Sequence, residues 1–152
     1  MSFKNKDYIA GKYQSKIKNL FAHLTMKEKF ELEFLFKTSP RVLENMISTA
    51  SGLAEWFADD VNNEDDLYSF EWDGSIEQAI LLFNKNNSKV RFKWVNDDDD
   101  DLETYFEISS TLDPMTASVS LQIIDFAYPE EKESAIRLWN QQVGDLKRIL
   151  GA

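Results

Sequence analysis

The chain has 152 residues, 43% of them hydrophobic and 13% aromatic, with a formal net charge of −10 and no Cys. That is enough apolar material for one domain with a buried core, which excludes global disorder, and the missing Cys exclude disulfides, thiolate metal sites and cysteine nucleophiles. An acidic body repels phosphate backbones, so nucleic-acid binding is not expected.

Residues 1–25 differ from the rest. Lys4, Lys6, Lys12, Lys16 and Lys18 against Asp7 give them a net charge of +4, leaving −14 for the remainder. Ile9, Tyr13, Ile17, Leu20 and Leu24 recur at helical spacings, so a short amphipathic docking helix competes with a frayed extension of no essential role. Met26 stands directly before the first clear strand, which makes it an alternative translation start and residues 1–25 dispensable for folding. No apolar run approaches the roughly 18 residues of a membrane span, and the basic N-terminus lacks the apolar centre of a signal peptide. The expected location is the cytoplasm.

From residue 26 onward the pattern sharpens. Phe30, Leu32, Phe34 and Phe36 alternate with Glu31, Glu33 and Leu35, a half-buried strand of period two. Ser39-Pro40 is a helix start, a capping hydroxyl followed by a proline suited to the first turn. Val42, Leu43, Met46 and Ile47 then form one helical face. A second short helix is expected from Ala50 to Trp56, with Ser51 near its start.

A run of strands follows. Tyr68, Phe70 and Trp72 alternate with Ser69 and Glu71, and Asp73-Gly74 is a hairpin turn signal. Ile76–Phe83 is a strand whose apolar run hides which face is inner. Val90, Phe92 and Trp94 alternate with Arg91 and Lys93. Residues 102–111 and 117–126 form another pair, joined near Asp113-Pro114. Pro129–Leu150 is predicted as one long helix: Glu130, Glu131 and Glu133 at its start and Lys147 and Arg148 at its end complement its dipole, and Gly151 terminates it. Ile136, Trp139, Val143, Leu146 and Leu150 share one face. Connections this short leave no room for parallel crossovers. An antiparallel sheet with one buried face needs a cover, and the last helix is the only long amphipathic element available. The expected fold is therefore α+β, a curved antiparallel sheet wrapped around the C-terminal helix.

This order of elements, the Trp56-Phe57 pair within Gly52-Leu53-Ala54-Glu55-Trp56-Phe57-Ala58-Asp59-Asp60-Val61, and the C-terminal helix carrying Trp139 resemble the START-like, helix-grip superfamily. The resemblance spans Lys27 to Leu150, so residues 26–152 are expected to form the START-like domain and 1–25 an extension. Within the superfamily the chain is similar to the homologues of the activator of the heat-shock-protein-90 ATPase and to small START-like proteins of Bacteroidetes-type bacteria. The resemblance implies a helix-grip fold with a cavity between sheet and final helix. It does not decide among the lipid carriers, receptors, cyclases and co-chaperone domains that share the fold.

The candidate cavity residues are Trp56, Phe57, Phe70, Trp72, Phe92, Trp94 and Trp139. Of the Trp56-Phe57 pair, one residue is expected to plug the core and the other to line the cavity. Phe70, Trp72, Phe92 and Trp94 should share the concave side, where they make either an apolar pocket or a filled aromatic core. Five consecutive aspartates, Asp97–Asp101, lack the alternation and the glycine of a calcium loop and are expected to be a solvated turn. Asp59, Asp60, Glu64, Asp65 and Asp66 make a second acidic cluster near the expected cavity mouth, a solvated loop or a surface for a cationic partner. His23 is the only histidine and lies outside the domain, which removes Ser-His-Asp and three-His arrangements from it. Carboxylate-only acid–base chemistry is left, with Glu71 and Glu107 as candidates, but both alternate with core residues and should face solvent. No metal, cofactor or phosphate-binding glycine loop is expected.

Three functions follow in order. The first is a non-enzymatic binding module holding a small hydrophobic ligand. The second is a co-chaperone-type interaction domain whose acidic face meets a basic protein partner. The third is a cyclase- or dehydratase-like enzyme. The expected state is a monomer or weak dimer.

Overall fold

The computed structural model describes residues 26–96 and 103–152. The expectations for residues 1–25, including His23 and the docking helix, and for the Asp97–Asp101 run lie outside the described residues. Strand β1 (Glu28–Phe36) leads into helices α1 (Pro40–Ser48) and α2 (Ala50–Trp56). Strands β2 (Asp60–Glu64), β3 (Leu67–Trp72), β4 (Ser75–Lys85), β5 (Lys89–Trp94), β6 (Phe106–Leu112) and β7 (Val119–Ala127) follow. A 3-10 turn (Pro129–Glu131) then introduces helix α3 (Lys132–Leu150), so the helix expected from Pro129 begins one turn later.

The seven strands form one sheet in the order β1-β7-β6-β5-β4-β3-β2, every neighbouring pair antiparallel. Consecutive strands pair side by side from β2 to β7, and β1 returns to the far edge against β7. Alternate residues turn one face of this sheet toward the helices. Phe30 and Phe36, Tyr68 and Phe70, Val90 and Phe92, Phe106 and Ile108, and Leu121 and Ile123 are all buried there. On α3 the buried side chains are Trp139, Gln142, Val143 and Leu146, the phase its apolar pattern predicts. Gly151 ends α3 in the left-handed conformation, φ 65°, its N–H bonded to Arg148 O.

Two elements depart from the sequence reading. β2, with sequence DVNNE, is a strand although only Val61 is apolar and buried; it exists because β3 supplies its ladder. Asp60 and Glu64 of the expected acidic loop are therefore strand residues, and only Asp65 and Asp66 form the turn. In β4 Ala79 is the one buried residue, and Ile76, Ile80 and Leu82 are exposed.

The outer face of the sheet also corrects one expectation. Glu107 does not face solvent; it is 4% exposed. Arg91 lies over it, with Nε donating to Glu107 Oε1 at 2.9 Å and Nη2 at 2.8 Å from the same oxygen. The guanidinium is itself 3.9 Å from the Tyr105 ring centre and 4.9 Å from that of Phe83. Glu71, the other candidate acid, is half-buried on the same side.

Candidate functional site

The site sits at the end of the sheet where β3, β5 and β7 finish, since alternate strands of an antiparallel sheet run the same way. The Asp73-Gly74 turn fixes the tip of β3. Its two residues have φ 49° and 81°, as a two-residue hairpin between paired Trp72 and Ser75 requires. Trp72 and Trp94 thus stand as the last residues of β3 and β5, two positions beyond Phe70 and Phe92. α2 delivers Trp56 and Phe57 to the same end.

How α2 is held explains why these two aromatics are fixed. Thr49 is its N-cap: Oγ1 accepts from Gly52 N at 2.9 Å and donates to Asn45 O of α1 at 2.8 Å. Trp56 Nε1 donates to Met46 O at 2.9 Å. Two of the last carbonyls of α1, which a helix end leaves unpaired, are therefore satisfied by side chains of α2 and its cap. Gly52 lies at the crossing, where α1 and α2 approach too closely for any side chain.

Phe57 is the centre of the aromatic cluster. Its ring meets Trp56, Phe70 and Trp72 edge-on at 5.8, 5.2 and 5.4 Å, and stacks against Phe106 and Trp139, each at 5.4 Å. Its carbonyl oxygen, at the C-terminal end of α2, accepts from Trp72 Nε1 and from Gln142 Nε2, both at 2.8 Å. One oxygen thus ties α2, β3 and α3 together. Gln142→Leu keeps the volume and deletes one donor to this buried carbonyl. It is expected to cost about 1–2 kcal/mol, read from urea denaturation; an unchanged midpoint would mean that Trp72 alone suffices.

Between α2, the tips of β3 to β5, the end of β7 and one face of α3 lies an open cleft of about 600 Å³. Trp56, Phe57, Trp72, Trp94 and Trp139 line it, with Ala58, Ala135 and Leu138. Phe70 and Phe92 do not: both are fully buried behind it, packed edge-on 5.7 Å apart. The Trp56-Phe57 pair does not divide into a plug and a liner, since each is about nineteen-twentieths buried and both are among the residues lining the cleft. Three indole N–H groups are engaged, Trp139 Nε1 donating to Asp125 Oδ2 at 2.8 Å. Trp94 Nε1 has no hydrogen-bond partner among the described residues, and Trp94 is only half-buried.

Sequence reasoning missed the polar part of the lining. Glu55, Asp59, Asp73, Glu77, Asp125 and Asp145 bring six carboxylates to the cleft, with Gln141 and Gln142, and among the described residues no Lys, Arg or His lines it. Of the acidic cluster expected at the mouth, only Asp59 is among them; its Oδ2 accepts from Asp73 N at 2.9 Å and stiffens the hairpin tip. Asp145 pairs with Arg148 on the outside of α3. Neither Glu71 nor Glu107 reaches the cleft. Among the described residues no group of His, Cys, Asp and Glu is arranged to hold a metal ion, and no helix is long and apolar enough to cross a membrane.

A seven-stranded antiparallel sheet closed over a C-terminal helix, with an aromatic cleft at one end, defines a helix-grip domain. A family model described as a START-like superfamily domain matches residues 24–152, and the chain belongs to that superfamily. No curated protein matches the chain significantly. Among solved structures, a protein of Bacteroides fragilis is 35% identical, covering 81% of this chain and 90% of its own, with a TM-score of 0.57. The Aha1 dimer of Colwellia psychrerythraea is 13% identical over 81% of this chain and 96% of its own, with a TM-score of 0.69. A protein of Cytophaga hutchinsonii is 13% identical over 82% and 94%, with a TM-score of 0.64. The last two are similar in fold alone.

Proposed function

We propose that this chain is a non-enzymatic binding module whose cleft holds a small, largely apolar ligand. The observation that carries the reading is the cleft itself, within the usual size range of small-molecule sites and walled by four indoles and Phe57. Binding without turnover fits the lining, where the described residues offer no His, Ser, Thr, Tyr, Lys or Cys as nucleophile or base. The carboxylates that are present lie mostly at the exposed rim, where water levels the environments an acid and a base need kept apart.

The test uses the neutral fluorophore Nile red. Its emission should rise saturably on titration with the full chain, tryptophan emission should be quenched in parallel, and both should depend little on salt. Trp94→Ala, which removes a half-buried wall without breaking a hydrogen bond, should weaken binding about tenfold, as loss of an aromatic contact surface does. Absence of saturable binding would sink the reading. The interaction-domain alternative would then lead, and it requires that binding of a basic partner weaken steeply with salt.

A further inference from the structure

We infer that the cleft selects cations: its ligand is an amphipathic organic cation, an alkyl or aromatic body bearing a protonated or quaternary ammonium head. The inference rests on the binding reading above and adds the ligand's charge. An indole face is the strongest of the aromatic faces for a cation, and Trp72, Trp94 and Trp139 are all within the lining. Around them the carboxylates come from both walls, Glu55 from α2, Glu77 from β4, Asp125 from β7 and Asp145 from α3. Among the described residues no Lys, Arg or His lines the cleft, and Arg148 meets Asp145 from outside it.

Several of these acids already have work. Asp59 holds the hairpin tip, Asp125 takes the Trp139 N–H, and Asp145 pairs with Arg148. Glu55 and Glu77 are exposed and have no partner among the described residues. They supply negative potential at the rim without being spent on structure. The carboxylates are spread over different elements and do not converge as metal ligands. Such a distribution suits a large, weakly hydrated ammonium that can touch ring faces and carboxylates together. The same potential repels a carboxylate or phosphate head, and the net charge of −10 adds to it at long range.

The experiment compares three probes of similar shape by isothermal titration calorimetry on the full chain: benzyltrimethylammonium, its neutral isostere neopentylbenzene, and phenylmethanesulfonate. At low salt the ammonium should bind about tenfold tighter than the isostere, and the sulfonate weakest. The gap should narrow as salt rises. In the double variant Glu55→Gln/Glu77→Gln the ammonium should lose most of its advantage, with near-ultraviolet circular dichroism reporting that the aromatic core is intact. Equal or tighter binding of the isostere or of the sulfonate overturns the inference and leaves the apolar-ligand reading standing. Absence of saturable ammonium binding also overturns it. If Nile red fails as well, the binding reading falls with it.

Discussion

Trp139→Ala is expected to lower the free energy of unfolding by about 3–5 kcal/mol, the range for truncating a core aromatic. The residue is 5% exposed. It stacks on Phe57 and lies tilted against Phe106 at 6.3 Å. Alanine would remove the ring that fills the space between α3 and the sheet and would strip Asp125 of a donor. Trp139→Phe keeps an aromatic ring in the space while trimming its volume and deleting the N–H, so it isolates the smaller part of the loss. It should cost about 1–2 kcal/mol. Urea denaturation with an unchanged slope is the measurement. A loss below about 1 kcal/mol for the alanine variant would place Trp139 on the surface and break the assigned phase of α3.

Gly52→Ala is expected to destabilise by about 3 kcal/mol, against the helix preference that favours alanine by about 1 kcal/mol. A Cβ at this position would lie 2.1 Å from Asn45 O and 2.7 Å from Met46 Cα. Both are backbone atoms, so the clash is relieved only by moving α1 and α2 apart. That movement stretches the Trp56–Met46 hydrogen bond and shifts Phe57, so Nile red binding should weaken along with stability. Gly144 is the internal control. It too lies within a helix, α3, but a Cβ there meets nothing within 4 Å. Gly144→Ala should therefore stabilise by about 0.5–1 kcal/mol. Opposite signs at the two glycines are the expected result in thermal melts, and a stabilising Gly52→Ala would refute the close helix crossing.

The architecture was legible because its signals are periodic. Alternation in β1, β3 and β5, the Asp73-Gly74 turn and the apolar face of α3 each point to one element, and their order leaves one way to close the sheet. Period two also shows that Phe70, Trp72, Phe92 and Trp94 share a face. It cannot show that the phenylalanines end beneath the helices and the tryptophans at the open tip, because that depends on where the helices cross the strands. β2 was hidden because its backbone ladder, not its side chains, makes it a strand. Glu107 was misplaced because an outward position equals solvent only when nothing lies above it, and Arg91, itself packed on Tyr105, does. The joint at the Phe57 carbonyl joins residues 85 apart, and no local pattern announces such a bond. The acidic lining is hidden for a similar reason, since its carboxylates come from separate elements that only the fold brings together.

The pairing of β1 with β7 reaches back to the birth of the chain. Among the described strands β1 is made first, yet the strand it pairs with there, β7, arrives roughly ninety residues later. Until then Phe30, Leu32, Phe34 and Phe36 make an amphipathic segment whose β7 partner is still to come, the kind of segment that pairs with other chains. Glu28, Lys29, Glu31 and Glu33 are interleaved with these phenylalanines and leucine. In the finished protein they are ordinary surface charges on an edge. Charges of this kind discourage a waiting strand from pairing with other chains, and their largest effect is expected on aggregation during refolding rather than on the stability of the finished fold.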